Sequence, residues 1–287
     1  MSFRVFDAHV DTLLALGEGE DILSSCPGAQ LDIPRALGAG VTELVTAICA
    51  EACGDMAGSF RTGLARFREA VPRSPIRLLL MLEGCQPIVD APDRGDIIRL
   101  LDFASLTWNG ENDLGGGVGS PLGLKPEGFK LAGELVSSGV VLDVSHLSDA
   151  SRADLLSEGL PVSATHCNCR ALHDVPRNLP DDDLRRIAEL GGVIGITLVP
   201  DFLGEAACLD TVADHLEHAV SVAGIAHAGF GSDFDGTSRL PAGITDCGFW
   251  PRLFELLSRR GWADTDISAA AGDNWRRVID CAKREGA

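Results

Sequence analysis

Short runs of β-branched or apolar residues alternate with amphipathic stretches along the whole chain, and this alternation constrains the fold more than any other feature. Eight runs read as strands: Phe3–Asp7, Glu43–Ile48, Ile76–Leu82, Phe103–Thr107, Val140–Val144, Pro161–Thr165, Val193–Leu198 and His227–Gly231. Most are too apolar to keep one face wet, which is the pattern of parallel strands covered on both sides. The stretches between them carry helix punctuation. Ser148 is placed to cap a helix through Leu156 that stops at Gly159 and Pro161, and Thr211 one that runs to Gly224 with Val212, Leu216, Ala219 and Ala223 on one face. Phe129, Ala132, Leu135 and Val136 make a further apolar stripe before Gly139. The predicted fold is therefore α/β, a (β/α)8 TIM-type barrel. An open doubly wound sheet is the alternative, but no GxGxxG or P-loop follows any strand. With no internal repeat and no linker-like boundary, residues 1–287 read as one domain.

Composition narrows the function. The chain has 45% hydrophobic and 23% charged residues, enough to bury a substantial core. Its formal charge of −18 would repel a nucleic-acid duplex or an anionic membrane surface, so neither is expected as a partner. No apolar run approaches the ~18–20 residues that span a bilayer, and Met1–Asp11 lacks the apolar stretch of a secretory leader. A cytoplasmic location is the expectation. The nine cysteines include no CxxC and fit reduced thiols better than a disulfide framework. The Gly-rich stretch Gly110–Gly123 reads as a flexible connection, since it lacks the lysine and hydroxyl of a phosphate-binding loop.

Barrel enzymes place their chemistry at the C-terminal ends of strands, and several predicted strand ends carry ligand-type residues. The first runs into Asp7-Ala-His9-Val-Asp11, where extended alternation puts His9 and Asp11 on one side, about 6–7 Å apart. The third ends in Glu83, a carboxylate after a nearly all-apolar run, which is either wet or, if buried, paired or metal-bound. The fifth leads into His146 and the sixth into His166. The eighth ends in Gly231-Ser-Asp233-Phe-Asp235-Gly, where alternation puts Asp233 and Asp235 on one side and one of them could take a proton from an activated water. Three imidazoles with the carboxylates of Asp11 and Glu83 suit Zn²⁺, with Fe, Mn or Co as alternatives. Five such donors exceed one tetrahedral site and fit two metals sharing a bridge at Glu83.

At these residues the sequence resembles the membrane (renal-type) dipeptidases, a binuclear-zinc family among the amidohydrolase-like, metal-dependent hydrolase barrels. The segments that carry the resemblance are DAHVD (7–11), LEG (82–84), LDVSHLS (142–148), THCNCRALHDVPRNLPDD (165–182), VADHLEHAVSVAG (212–224), GFGSDFDG (229–236) and GDNWRRV (272–278). The resemblance implies two zinc ions per chain, His9 and Asp11 on one, His146 and His166 on the other, and Glu83 bridging. It implies that Asp233 shuttles the proton, and that Arg177 binds the terminal carboxylate of a small dipeptide substrate through its bidentate fork. The implied reaction is hydrolysis of the peptide bond by a metal-bridging hydroxide. A homodimer is implied by the family alone.

The chain departs from the family pattern in three places. Leu106-Thr107-Trp108 stands where many members have a histidine that contacts the substrate; Trp108 offers one N–H donor and more bulk. It is therefore a substrate-binding candidate that bears on substrate choice, and the alternative function is a metal-dependent amidohydrolase for another small carboxylated amide. A metal-binding barrel without catalysis is the reading from a different class. Cys85 replaces a usual glycine and, with Cys49 and Cys167, falls near the expected site, although buried inert thiols are the simpler reading. The chain has no tyrosine and is shorter than eukaryotic members, and neither a leader nor a lipid-anchor tail is expected. His215, His218 and His227 read as structural, His173 as a surface residue, and Trp250, Trp262 and Trp275 as packing residues.

Overall fold

The computed structural model describes residues 3–286; Met1, Ser2 and Ala287, the ends of the expected single-domain span, lie outside the described residues. All eight expected strands are present: β1 (Val5–Val10), β2 (Val41–Ile48), β3 (Arg77–Glu83), β4 (Phe103–Ser105), β5 (Val141–Asp143), β6 (Val162–Ser163), β7 (Ile194–Ile196) and β8 (Ala228–Phe230). β1 to β6 form a parallel sheet in sequence order, and β7 pairs with β8, also parallel. The structure is thus a six-stranded parallel half-barrel with a two-stranded partner, not one uninterrupted eight-stranded ladder. The reason is strand length. β5 to β8 are only two or three residues long, and each seam is crossed by a single parallel bridge, Ala164–Ile194 on one side and Val10–Phe234 on the other.

Alternation along the strands divides the core. Phe6 and Ala8 of β1, Val45 and Ala47 of β2, Leu79 and Met81 of β3, Phe103 of β4 and Val141 of β5 form one apolar cluster inside the curved sheet. Their neighbours of opposite parity, such as Leu44, Leu78 and Leu80, pack outward in the larger cluster shared with the helices. Trp275, from the helix Asn274–Glu285, is fully buried in the inner cluster. Its ring lies 6.1 Å from Phe6 and 5.9 Å from Phe103, and its indole N–H donates to Phe230 O at 3.1 Å. Two residues beyond Met81 on the inner face comes Glu83, and two beyond Val141 comes Asp143. The inner face therefore turns from apolar to acidic toward the strand C-termini, which is where the candidate site forms.

Helix punctuation is largely as expected. The Ser148 side chain accepts from Ser151 N at the head of the helix Asp149–Ser157. The stripe before Gly139 lies on the helix Pro126–Ser137, which buries Leu131, Ala132 and Leu135 while Phe129 and Val136 are half-buried. Thr211, expected as a cap, instead sits in the first turn of the helix Leu209–Ala223 and bonds back to Cys208 N at 2.9 Å. Trp250 and Trp275 are buried as expected, and Trp262 is half-buried with its N–H on Glu217 at 3.2 Å.

The Gly-rich stretch is not a flexible connection. It folds back on itself through the bridges Glu111–Gly116 and Gly115–Leu124, and Gly117 pairs with Leu147. A Cβ on Gly117 would overlap the carbonyl oxygen of Trp108, so glycine is needed for close backbone approach rather than for mobility. All nine cysteines are free.

Candidate metal site

His9, Glu83, His146 and His166 converge where β1, β3, β5 and β6 end. Glu83 Oε1 lies 2.8 Å from His146 Nε2, 3.4 Å from His166 Nε2 and 3.7 Å from His9 Nε2. The carboxylate is buried, which excludes the wet reading of the strand end. On the other side of His9, its Nε2 lies 3.4 Å from Asp11 Oδ2 and 3.9 Å from Asp233 Oδ1. Two triads have donor atoms close enough to share an ion, His9–Glu83–His166 and His9–Asp11–Asp233. His9 belongs to both. The pairing of β1 with β2 is irregular between Asp7 and Val10, and His9 leaves the regular ladder on this stretch.

Neighbours fix the imidazoles. His166 Nδ1 lies 2.8 Å from Thr165 Oγ1, whose own hydroxyl donates to Asp143 Oδ2 at 2.9 Å. The hydroxyl proton being committed to the carboxylate, Nδ1 carries the donor hydrogen and Nε2 presents a lone pair to Glu83. His146 Nδ1 lies 2.8 Å from Asn109 Oδ1, which is acceptor-only and fixes the same tautomer. Asp143 also accepts from Thr165 N at 2.7 Å and Ser145 Oγ at 2.6 Å, so one buried carboxylate braces the residue that precedes each of these two histidines. Asp143, Thr165 and Asn109 were not identified from sequence. Asp143 had a signal of the same kind as Glu83, a carboxylate inside an otherwise apolar strand; Thr165 and Asn109 had none.

The electrostatics follow from burial and crowding. Burial, together with the Arg177 charge, holds His146 below the usual histidine range, and burial with the nearby His9 holds His166 well below it. Burial also opposes charge on His9, but Glu83, Asp11 and Asp233 outweigh it and push the imidazole up to about 10. Burial and then the Asp11 charge raise Asp233 well above the ordinary carboxylate range. Asp7, which accepts from Ser232 N at 2.8 Å, is pushed up to about 6 by burial.

The loop after β8 differs from the extended reading. Asp233 and Asp235 both have left-handed backbones, with φ of 63° and 65°, so strand alternation does not apply. Asp233 reaches the cluster. Asp235 turns away as a clamp, accepting from Thr12 Oγ1 at 2.5 Å and Gln30 N at 2.6 Å. This clamp holds the seam at which Asp233 N donates to His9 O and Asp11 N to Phe234 O.

A cavity of about 560 Å³ opens over the cluster, lined among others by Asp11, Glu83, Trp108, His146, Arg177 and Asp233. Buried Arg177 places Nη2 3.1 Å from His146 Nε2, donates from Nη1 to Ser145 O, and lies 5.1 Å over the Phe202 ring. Trp108 lies 6.2 Å from the His146 ring. Every site residue expected from the sequence is thus within or beside this cavity. Of the cysteines considered, Cys49 lines it, whereas Cys85 and Cys167 are fully buried. His173 is half-buried and lines a different surface pocket. His215 is buried and bonded to Cys169 N and Leu203 O; His218 meets Asp181, and His227 meets Gly192 O.

Residues 63–285 match the model of the membrane dipeptidase family, peptidase family M19. An uncharacterized dipeptidase of Schizosaccharomyces pombe is 32% identical over 220 residues, 72% of this chain and 53% of that protein, so the chain spans about half the length of that relative. Among solved structures, dipeptidase AC, a metallo peptidase of family M19, superimposes with a TM-score of 0.83 at 24% identity over 100% of both chains. A metallo peptidase from Rhodobacter sphaeroides, liganded with a phosphinate mimic of the dipeptide L-Ala-D-Ala, gives 0.82 at 23% identity over 98% of this chain and 99% of its own. At these identities the two superpositions speak for the fold, while the family match extends over most of the sequence: the chain belongs to the membrane dipeptidase family, M19.

Proposed function

We propose that this chain is a binuclear-zinc dipeptidase that hydrolyses dipeptides with a free C-terminal carboxylate. The observation that carries the reading is the inward convergence of three imidazoles and three carboxylates, several of whose buried donor atoms nothing else satisfies. His9 Nε2, Glu83 Oε1 and Asp11 Oδ1 are buried without a hydrogen-bond partner, which is costly unless a cation meets them. Mixed nitrogen and oxygen donors fit zinc. In this reading His9 and Asp11 hold one ion, His146 and His166 the other, and Glu83 bridges. When bound, the ions would polarise the scissile carbonyl and lower the pKa of water.

The remaining roles belong to the chain. Asp233, which lines the cavity with Oδ1 3.9 Å from His9 Nε2, is placed to take up a proton at its carboxylate and return it to the leaving amine. Arg177, steadied by the Phe202 face, presents a guanidinium suited to the substrate's carboxylate. Trp108 forms a wall of the cavity and contacts the substrate. The same reading takes residues 1–287 as one closed (β/α)8 unit, working as a homodimer in the cytoplasm. Single bridges across both seams support closure, and nine free thiols support a reducing compartment. Among the described residues no helix is long and apolar enough to cross a membrane.

The test is a panel of free dipeptides against N-acyl amino acids. Zinc-reconstituted protein should cleave the dipeptides, and Asp233→Asn should lower kcat by roughly 10²–10⁴-fold. Cleavage of N-acyl amino acids alone would replace this reading by the amidohydrolase one.

A further inference from the structure

The ends of β2, β3 and β4 each contribute to the cavity lining. Cys49, Ala52 and Cys53 come from the loop after β2, Glu83 from the end of β3, and Trp108 and Asn109 from the loop after β4. One carboxylate joins these three segments. Glu51 lies in the single turn Ala50–Ala52, is half-buried, and does not itself line the cavity. Its Oε1 accepts from Gln86 N and from Asn112 Nδ2, both at 3.0 Å, and its Oε2 accepts from Trp108 N at 3.2 Å. Gln86 follows β3, while Trp108 and Asn112 follow β4, so a side chain on the β2 loop is bonded to both of the next loops. Backbone packs on it as well: a Cβ on Gly84, whose φ is 81°, would overlap the Glu51 carboxyl group.

Most of the groups at this junction have a second attachment. Gln86 and Asp113 bond reciprocally at 2.8 and 2.9 Å, Asn112 also donates to Leu106 O at 2.9 Å, and Asn109 O accepts from Gly119 N at 2.8 Å. For Trp108 N, Glu51 Oε2 is the one acceptor among the described residues. An ionised carboxylate accepts at both oxygens, which an amide of the same shape cannot do. In Glu51→Gln the amide oxygen belongs with Gln86 and Asn112, where it keeps two bonds, and the NH2 group is left facing the Trp108 N–H. Two donors then oppose each other, and the backbone at Trp108 is the part released.

We infer that Glu51 is a positioning residue for the substrate pocket: its carboxylate fixes the Trp108 backbone, and with it the ring on the cavity wall, so that substrate affinity depends on a side chain the substrate never meets. This rests on the proposed function, in which Trp108 contacts the substrate. Asn109 keeps its own bonds to Gly119 and His146. The metal donors therefore stay in place, and the effect falls on binding rather than on the chemical step.

The experiment follows Trp108 first and the substrate second. In protein labelled with 5-fluorotryptophan, the Trp108 resonance is identified by its loss in Trp108→Phe. It should move in Glu51→Gln while those of Trp250, Trp262 and Trp275 stay in place. On the zinc-reconstituted protein, Glu51→Gln should raise KM for Ala-Leu by roughly 10-fold, with kcat and zinc content within about 2-fold of the parent. In a Trp108→Ala background the same substitution should change KM by less than about 2-fold, because the contact it positions is gone. An unmoved Trp108 resonance, a shift of all four tryptophans, or an equal rise of KM in both backgrounds overturns the inference. A parent protein without dipeptide turnover defeats the proposed function instead. The fluorine spectrum, read without metal or substrate, still decides whether Glu51 holds Trp108.

Discussion

Replacing Asp143 with asparagine should weaken metal binding at His166 without unfolding the protein. Asp143 Oδ2 accepts the Thr165 hydroxyl at 2.9 Å, and that hydroxyl oxygen sits 2.8 Å from His166 Nδ1. The other oxygen of Asp143 accepts from Thr165 N, Ser145 Oγ and Ser145 N at 2.7, 2.6 and 3.2 Å. In Asp143→Asn the amide oxygen keeps these three bonds, and the NH2 group takes the place of Oδ2. The Thr165 hydroxyl then accepts, and its own proton needs a new partner. Its nearest acceptor is His166 Nδ1 at 2.8 Å, ahead of Ser145 Oγ at 3.4 Å. Donation there moves the imidazole hydrogen to Nε2, which can no longer ligate. Both bonds persist with their direction reversed, so folding loses only the charge assistance of the carboxylate, about 1 kcal/mol, whereas zinc affinity should fall by roughly 10–100-fold. Asp143→Ala, by contrast, orphans four buried donors at about 1–3 kcal/mol each and should unfold at a much lower temperature. Zinc competition against a chromogenic chelator, with thermal melts as the fold control and imidazole ¹⁵N shifts for the tautomer, measures each part. A folded Asp143→Asn protein that binds zinc like the parent, with His166 still protonated on Nδ1, would refute the relay.

Two further outcomes follow from features outside the metal cluster. His215 is buried and neutral, accepting from Cys169 N, and burial lowers its pKa to about 4. The unfolded chain, with its histidine near the ordinary value, binds more protons between about pH 6.5 and 4. Stability is therefore retained above that window and lost as pH falls through it, by about 2.5 kcal/mol from this group at pH 4.5. Urea unfolding at pH 7 and 4.5 should show His215→Gln lacking that share of the loss; an identical pH dependence in both proteins would contradict the assignment. Gly117→Ala forces a Cβ onto the Trp108 carbonyl, backbone against backbone. It should cost about 1–3 kcal/mol, a drop of several degrees in Tm, and an unchanged Tm would show that the loop yields.

The positions of the strands were legible because eight apolar runs are separated by well-marked helices, and a strand buried on both faces has no room for other residue types. The metal-site candidates were legible where the same argument exposed an anomaly, as with Glu83 at the end of an apolar run. Alternation failed at Asp233 and Asp235, because two left-handed residues break the strand geometry it assumes. It could not show that one carboxylate enters the cluster while the other clamps Gln30, a contact more than two hundred positions away in sequence. Gly110–Gly123 was misread because composition cannot separate a glycine kept for freedom from one kept for close packing. The residues that set the histidine tautomers act through three-dimensional contacts that spacing does not encode, as Asn109 does on His146.

The measurement closest to the central claim is the zinc content of the protein after metal stripping and reconstitution, by elemental analysis, alongside a Glu83→Gln variant. The account predicts about two zinc ions per chain, and at most one in Glu83→Gln, since a bridging carboxylate serves both. A parent protein that retains no zinc, or a Glu83→Gln variant that still holds two, would contradict it.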